Sequence, residues 1–186
     1  TLLSSIARDP LQKIGSLPML TPVEEHQLLY EFNNTKVDYP KDKTIINLFE
    51  EQAAKTPEAI AVVFEEEQLT YKQLNEKANQ LAQYLRDKDI KEETLVPICI
   101  ERSLEMIVGI LGILKAGGAY IPIDPEYPEE RINYMLQDTN ASLVVSSKAS
   151  KTKLQKSIDF EIIELDTDWS VISTQPIKNL QTVLQP

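Results

Sequence analysis

The sequence predicts an α/β domain: a parallel sheet with flanking helices, preceded by a β-hairpin. Three observations lead there. From residue 95 the chain runs strand, helix, strand, helix, strand, short helix, strand, and such alternation argues a parallel sheet with right-handed crossovers. The stretch 103–131, SLEMIVGILGILKAGGAYIPIDPEYPEER, is the most apolar of the chain, with Lys115 the one charge between Met106 and Ile123. Before it, AIAVVF (59–64) and QLTY (68–71) flank a charged turn, as two strands of a hairpin do.

Taken in order, residues 1–20 carry short apolar patches between prolines and read as a linker that packs along a neighbour. Thr21-Pro22-Val23-Glu24 forms a helix start, with Thr21 as N-cap, Pro22 in the first turn and Glu24 closing a capping box. Leu28, Leu29 and Phe32 give that helix an apolar side, Asn33-Asn34 ends it, and His26 falls on its exposed face. Residues 37–43 are polar and extended. Ile45, Leu48, Phe49 and Ala53 mark a helix that stops before Pro57.

After the hairpin, Thr70 caps a helix with Gln73 three residues on, and Tyr71, Leu74, Ala78, Leu81 and Leu85 line one face. LVPICI (95–100) is a buried strand in which Pro97 predicts an edge position or a bulge. The helix from 103 is apolar nearly all round and therefore buried. Each Leu or Ile buried there contributes roughly 1.5–3 kcal/mol. Gly109 and Gly112 weaken helix propensity, so they predict close approach of a neighbouring element. Gly117-Gly118 stops the helix, AYIPID forms a short buried strand, and Pro128-Glu129-Glu130 opens the next helix. That helix carries Ile132, Met135 and Leu136 inward and ends at Asn140. SLVVSS (142–147) and EIIEL (161–165) are strands, 150–156 a weak helix, and the tail from Asp166 a loop.

Composition narrows the function. At 186 residues, net charge −10 and pI about 4.7, the chain suits neither nucleic acid nor an anionic membrane surface. It fits a cytoplasmic protein. Cys99 is the single cysteine and His26 the single histidine, so disulfide frameworks and most Cys or His metal sites and nucleophile–base pairs are excluded. Cys99 reads as a small buried side chain. The Glu65-Glu66-Glu67 turn reads as solvated. The chain does not begin with Met, which leads us to expect a piece of something longer.

No nucleophile–base pair, metal spacing or Gly-rich phosphate loop occurs. Ligands of open α/β sheets bind beyond the carboxyl ends of the strands, here the loops after Ile100, Ile123, Ser147 and Leu165. Glu101, Arg102 and Asp124 stand there, and each reads first as a cap or structural ion pair.

LKAGGAYIPIDPEYPEERI (114–132) closely resembles a core motif of the adenylation domains of nonribosomal peptide synthetases. LTYKQLNEKANQLAQYL (69–85) resembles their earlier core motif, and TIINLFEEQAAKTPEAIAVVFEEEQLTY (44–71) resembles their start. Residues 1–36, containing LPMLTPVEEHQLLYEFNNT, resemble the linker from a condensation domain. The resemblance covers the whole chain. It implies the partial N-terminal subdomain of an adenylate-forming enzyme: 1–36 a condensation–adenylation linker, 37–186 the first portion of an adenylation domain, ending before its phosphate loop. It implies ATP and Mg²⁺ for the full domain, an amino acid as substrate, phosphopantetheine on a downstream carrier domain, and an upstream condensation domain.

None of the residues that the family uses for chemistry can be carried onto this sequence, so no catalytic, cofactor-binding or metal residue is assigned. This stretch alone is expected to be inactive and to bind none of those groups. Lys115, Gly117, Gly118, Tyr120, Asp124, Tyr127 and Arg131 are signature positions that build the fold. Two alternatives are an acyl-CoA or aryl-acid ligase fragment, which the linker disfavours, and a non-catalytic interaction module.

Overall fold

The computed structural model describes residues 2–154 and 160–180. The chain divides into two units, Thr1–Pro40 and Lys41–Pro186, each described by itself.

In the first unit, residues 2–20 carry more secondary structure than a bare linker. Helix α1 spans Leu2–Arg8, and a single 3₁₀ turn spans Ile14–Ser16. The expected capping box forms at Thr21: Glu24 N–H donates to Thr21 Oγ1 at 3.2 Å, and the Thr21 N–H donates to the Glu24 carboxylate at 2.7 Å. It starts helix α2 (Pro22–His26), which widens into a π turn at Gln27–Glu31. His26 is exposed as expected, and its Nδ1 lies 3.5 Å from the Glu31 carboxylate. No residue of these helical segments is buried.

The second unit carries the sheet. Helix α3 (Ile45–Lys55) begins at a capping box the sequence reading missed, Thr44 with Asn47. The hairpin follows: β1 (Ile60–Phe64) pairs antiparallel with β2 (Glu67–Thr70). Glu65 turns the chain with φ +53°. Thr70 then caps α4 (Tyr71–Asp87) with Gln73, as its sequence demanded.

From there β3 (Leu95–Cys99), α5 (Leu104–Ala116), β4 (Ala119–Pro122), α6 (Glu129–Thr139), β5 (Leu143–Ser146) and β6 (Glu161–Glu164) follow in the predicted alternation. The four strands form one parallel sheet in the order β4-β3-β5-β6. The fold class read from the sequence is borne out.

Period-two alternation sorts the side chains onto the two faces of the sheet. Val96, Ile98, Val145, Ile163 and Leu165 meet α4 and α5 on one face; Cys99, Val144 and Ile162 meet α6 on the other. The two helices lie on opposite faces because β3 to β4 steps one way along the sheet and β4 to β5 steps back across it.

Four expectations are corrected. Strand β3 is interior, flanked by β4 and β5, not an edge. Pro97 is tolerated there because Thr94 and Ile98 turn their carbonyls to the amides of Ala119 and Ile123 on the β4 side. The Pro97 nitrogen therefore faces β5, and pairing with β5 begins only at Ile98 although β5 starts at Leu143, so the ladder is short where the donor is missing. Strand β4 is the edge, and Tyr120 on it is 38% exposed; an apolar run of four residues looks the same at an edge as in a centre. The tail is not all loop: α7 (Trp169–Ile172) makes one turn and buries Ile172. The weak helix shrinks to a 3₁₀ turn at Ser150–Lys153; its expected end at 156, like the tail beyond 180, lies outside the described residues.

Candidate functional site

The four loops singled out from sequence lie side by side in strand order, and three of them are joined by hydrogen bonds. Ser150, in the turn after β5, accepts from the Glu101 N–H after β3 at 3.2 Å. The Lys148 N–H, also after β5, donates to both Asp166 carboxylate oxygens after β6, at 3.0 and 3.1 Å. The loop after β4 joins the loop after β3 across a groove of about 580 Å³. Met106 and Ile110 of α5 and Tyr127 line it, together with Glu101, Arg102 and Asp124.

Ser103 opens the lining helix: its Oγ accepts from the Met106 N–H at 3.2 Å and starts α5. Asp124 is a turn cap, accepting from the Glu126 N–H at 2.9 Å, as its sequence position suggested. Glu101 and Arg102 are exposed, and among the described residues neither side chain forms a hydrogen bond or ion pair. The expected cap or ion-pair role for those two is not what the geometry displays.

A second groove, of about 540 Å³, opens beside the loop after β6. Leu104, Val108 and Leu165 form its floor, and Lys77 Nζ sits 4.2 Å from the centroid of the Trp169 ring. The sequence reading missed this pair. A lone Trp in a polar tail was the available signal, but its cationic partner is 92 positions away and only the fold brings them together.

Of the signature positions, Lys115, Gly117, Tyr127 and Arg131 make defined contacts or turns. Lys115 is 1% exposed, and its ammonium is paired with Glu50 of α3 and faces the Phe49 ring at 5.8 Å. Burial pulls that ammonium below the ordinary lysine value, and the Glu50 carboxylate offsets only part of the cost. Gly117 takes φ +102°, the left-handed stop that a side chain would strain. The Arg131 guanidinium stacks on the Tyr127 ring at 3.9 Å and braces the turn after β4.

Cys99 is fully buried on the α6 face. Burial, and less so the Asp124 carboxylate, pushes its thiol up to about 11, so it is no nucleophile at neutral pH. We expect a disulfide reagent at about pH 8.5, the ordinary thiol range, to leave the native protein untouched and to titrate one thiol after denaturation. Rapid labelling of the native protein would contradict this burial.

Among the described residues no group of three His, Cys, Asp or Glu side chains is placed to hold a metal ion. No described helix is long and apolar enough to cross a membrane.

Comparison with known proteins adds kinship to geometry. The family described as AMP-binding enzyme matches residues 49–182. Bacitracin synthase 2 of Bacillus licheniformis is 52% identical over 153 residues, 82% of this chain and 6% of that protein. Tyrocidine synthase 3 of Brevibacillus parabrevis is 48% identical over 187 residues, 100% of this chain and 3% of that protein. Among solved structures, the nonribosomal peptide synthetase FmoA3 in its AMPPNP-bound form superimposes with a TM-score of 0.77 at 26% identity, covering 100% of this chain and 20% of that one. Klebsiella oxytoca NpsA, at 22% identity and a TM-score of 0.64, shares the fold. The chain thus spans a small fraction of the curated relatives it matches.

Proposed function

Since the chain belongs to the AMP-binding enzyme family, among the nonribosomal peptide synthetases, we propose that it forms the first part of an amino-acid-activating adenylation domain. In that reaction the amino acid carboxylate attacks the α-phosphorus of ATP, releasing pyrophosphate and leaving an aminoacyl-adenylate. The acyl group then passes to a phosphopantetheine thiol on a carrier domain, and a condensation domain upstream supplies the partner for peptide bond formation. The observation that carries the reading is the 48% identity to a peptide synthetase along all of the chain, residues 1–36 included. The same observation favours a peptide synthetase over an acyl-CoA or aryl-acid ligase, since the likeness to NpsA rests on 22% identity and speaks for fold alone.

Within this reading residues 1–36 are the linker from the condensation domain, and 37–186 are scaffold. The carboxyl-end loops, the Lys115–Glu50 pair and the Gly117 stop set the shape on which the reacting groups are mounted. Among the described residues no three His, Cys, Asp or Glu side chains gather as a metal site; in this reading the metal that neutralises the departing pyrophosphate is held by another part of the domain. The cytoplasm, where ATP and amino acids are plentiful, is the compartment this reading requires.

Amino-acid-dependent exchange of pyrophosphate into ATP tests it. Residues 1–186 alone should give none, and the longer protein that contains them should exchange with one amino acid above the others. Exchange by 1–186 alone overturns the scaffold role. Silence of the longer protein with every proteinogenic amino acid overturns the assignment.

A further inference from the structure

Asn79 is a polar residue in a place that should be apolar. It sits mid-way along α4 between Ala78 and Leu81, is 0% exposed, and carries a side chain that favours caps over helix interiors. Its use becomes clear from what lies across it. Residues 173–180 run antiparallel along α4, and amide side chains of that helix bind their carbonyls at every second position. Gln80 Nε2 donates to the Ser173 carbonyl at 2.6 Å and to that of Gln175 at 3.3 Å. Asn79 Nδ2 donates to the Ile177 carbonyl at 2.8 Å and to Asn179 Oδ1 at 2.9 Å, and Asn75 Nδ2 donates to the same Asn179 oxygen at 2.9 Å.

Apolar anchoring of this segment is confined to its ends. Ile172 is buried and Leu180 packs against the core, but Ile177 between them is 52% exposed. The segment pairs with no strand. Polar side chains of α4 therefore supply most of the hold, the Asp87 carboxylate adding to the amides by accepting from Gln175 Nε2 at 3.0 Å. That hold is incomplete on the helix side: among the described residues the Oδ1 atoms of Asn75 and Asn79 are buried without a partner. A half-satisfied amide network carries a desolvation cost. Lifting the segment returns those oxygens to water, which offsets part of what the donor bonds contribute.

We propose that residues 173–180 are a strap that opens and closes as a unit against α4, that Asn79 is its latch, and that the closed strap fixes the path by which the polypeptide leaves this layer for the rest of the adenylation domain. The last clause rests on the proposed function; the first two stand without it. Asn79 is a positioning residue in this scheme, since it touches the strap and not the reactants.

Hydrogen exchange read by mass spectrometry tests the latch. Asn79→Ala should speed exchange of the hydrogen-bonded amides of this segment, Ser173, Thr174 and Gln175, by roughly tenfold while β3 and β5 keep their protection. Gln80→Ala, at a half-buried position on α4, should loosen the same segment and keeps the test open should Asn79→Ala not fold. Unchanged exchange in the strap, or equal loosening of strap and sheet, overturns the latch. In the longer protein, Asn79→Ala at an unaltered melting temperature should lower the turnover of pyrophosphate exchange. A loosened strap with wild-type turnover overturns the path claim alone. If the wild-type protein itself is silent, the functional reading fails while the strap result stands or falls by its own exchange data.

Discussion

Glu50→Leu is expected to destabilise the protein by about 3 kcal/mol or more at neutral pH, the cost of leaving a buried charge without its partner. The asymmetry of the pair decides which partner matters more. The Lys115 side chain is 1% exposed and the Glu50 side chain 19%, so a bereaved Glu50 can reach water and a bereaved Lys115 cannot. Lys115→Met should therefore cost less than Glu50→Leu. The double variant, which replaces both charges by apolar groups, should return to within about 1 kcal/mol of the wild type or exceed it.

The penalty should also fade with pH. Burial already holds Lys115 below its ordinary 10.5, and losing Glu50 lowers it further. Between the folded value and 10.5 the unfolded chain carries a proton that the folded chain lacks, so stability rises with pH through that window. Denaturant unfolding of variant and wild type across this range checks both statements. A Glu50→Leu penalty under about 1 kcal/mol, or one that does not shrink as pH rises, would sink the account of a charge trapped in the core.

The second large effect is at Gly112. A Cβ there would lie 2.5 Å from Leu81 Cδ2, 2.7 Å from Cγ and 3.0 Å from Cβ. The clash reaches the root of the leucine, which no rotamer change can move, so α4 and α5 must part. Overpacking of this kind costs about 1–3 kcal/mol, against a helix-propensity gain of about 1 kcal/mol for Ala over Gly. We expect Gly112→Ala to lower stability by about 2 kcal/mol, or about 4–8 °C in Tm.

Gly109→Ala makes the control. Its new methyl would meet Ile98 Cδ1 at 2.7 Å and Leu165 Cδ1 at 3.3 Å, the free ends of flexible side chains, and its net effect should stay within about 1 kcal/mol. Leu81→Ala, destabilising by itself through the cavity it leaves, should abolish the cost of Gly112→Ala. Thermal melts of the double-mutant cycle measure that coupling; additive effects would mean that the two helices do not touch there.

Much of the fold was open to a reader of the residues alone. The strand–helix alternation, the Thr21 and Thr70 capping boxes, the Gly117 stop and the Asn140 end are local, and local sterics and hydrogen bonding act whatever the rest of the chain does. Gly109 and Gly112 announced close packing, and the structure tells them apart: one faces the sheet, the other α4. Of the candidate site, the four loops were named correctly as positions at the carboxyl ends of strands. Their joining into one rim was not foreseeable, because it depends on strand order.

Sequence by itself determined the strands of the sheet and hairpin, the ends of the helices with clear caps or stops, and which enzyme family the chain resembles, while the short helices at Leu2–Arg8 and Trp169–Ile172 escaped it. Those properties reside in short runs of residues and their periodicity. Tertiary structure alone decided that β3 lies inside the sheet with Pro97 turned to an unpaired level, that Lys115 answers to Glu50, that Lys77 covers Trp169, and that Asn79 binds the strap. Each of these joins positions far apart along the chain, and the free energy that selects such pairs comes from burying them together, a quantity no local pattern contains.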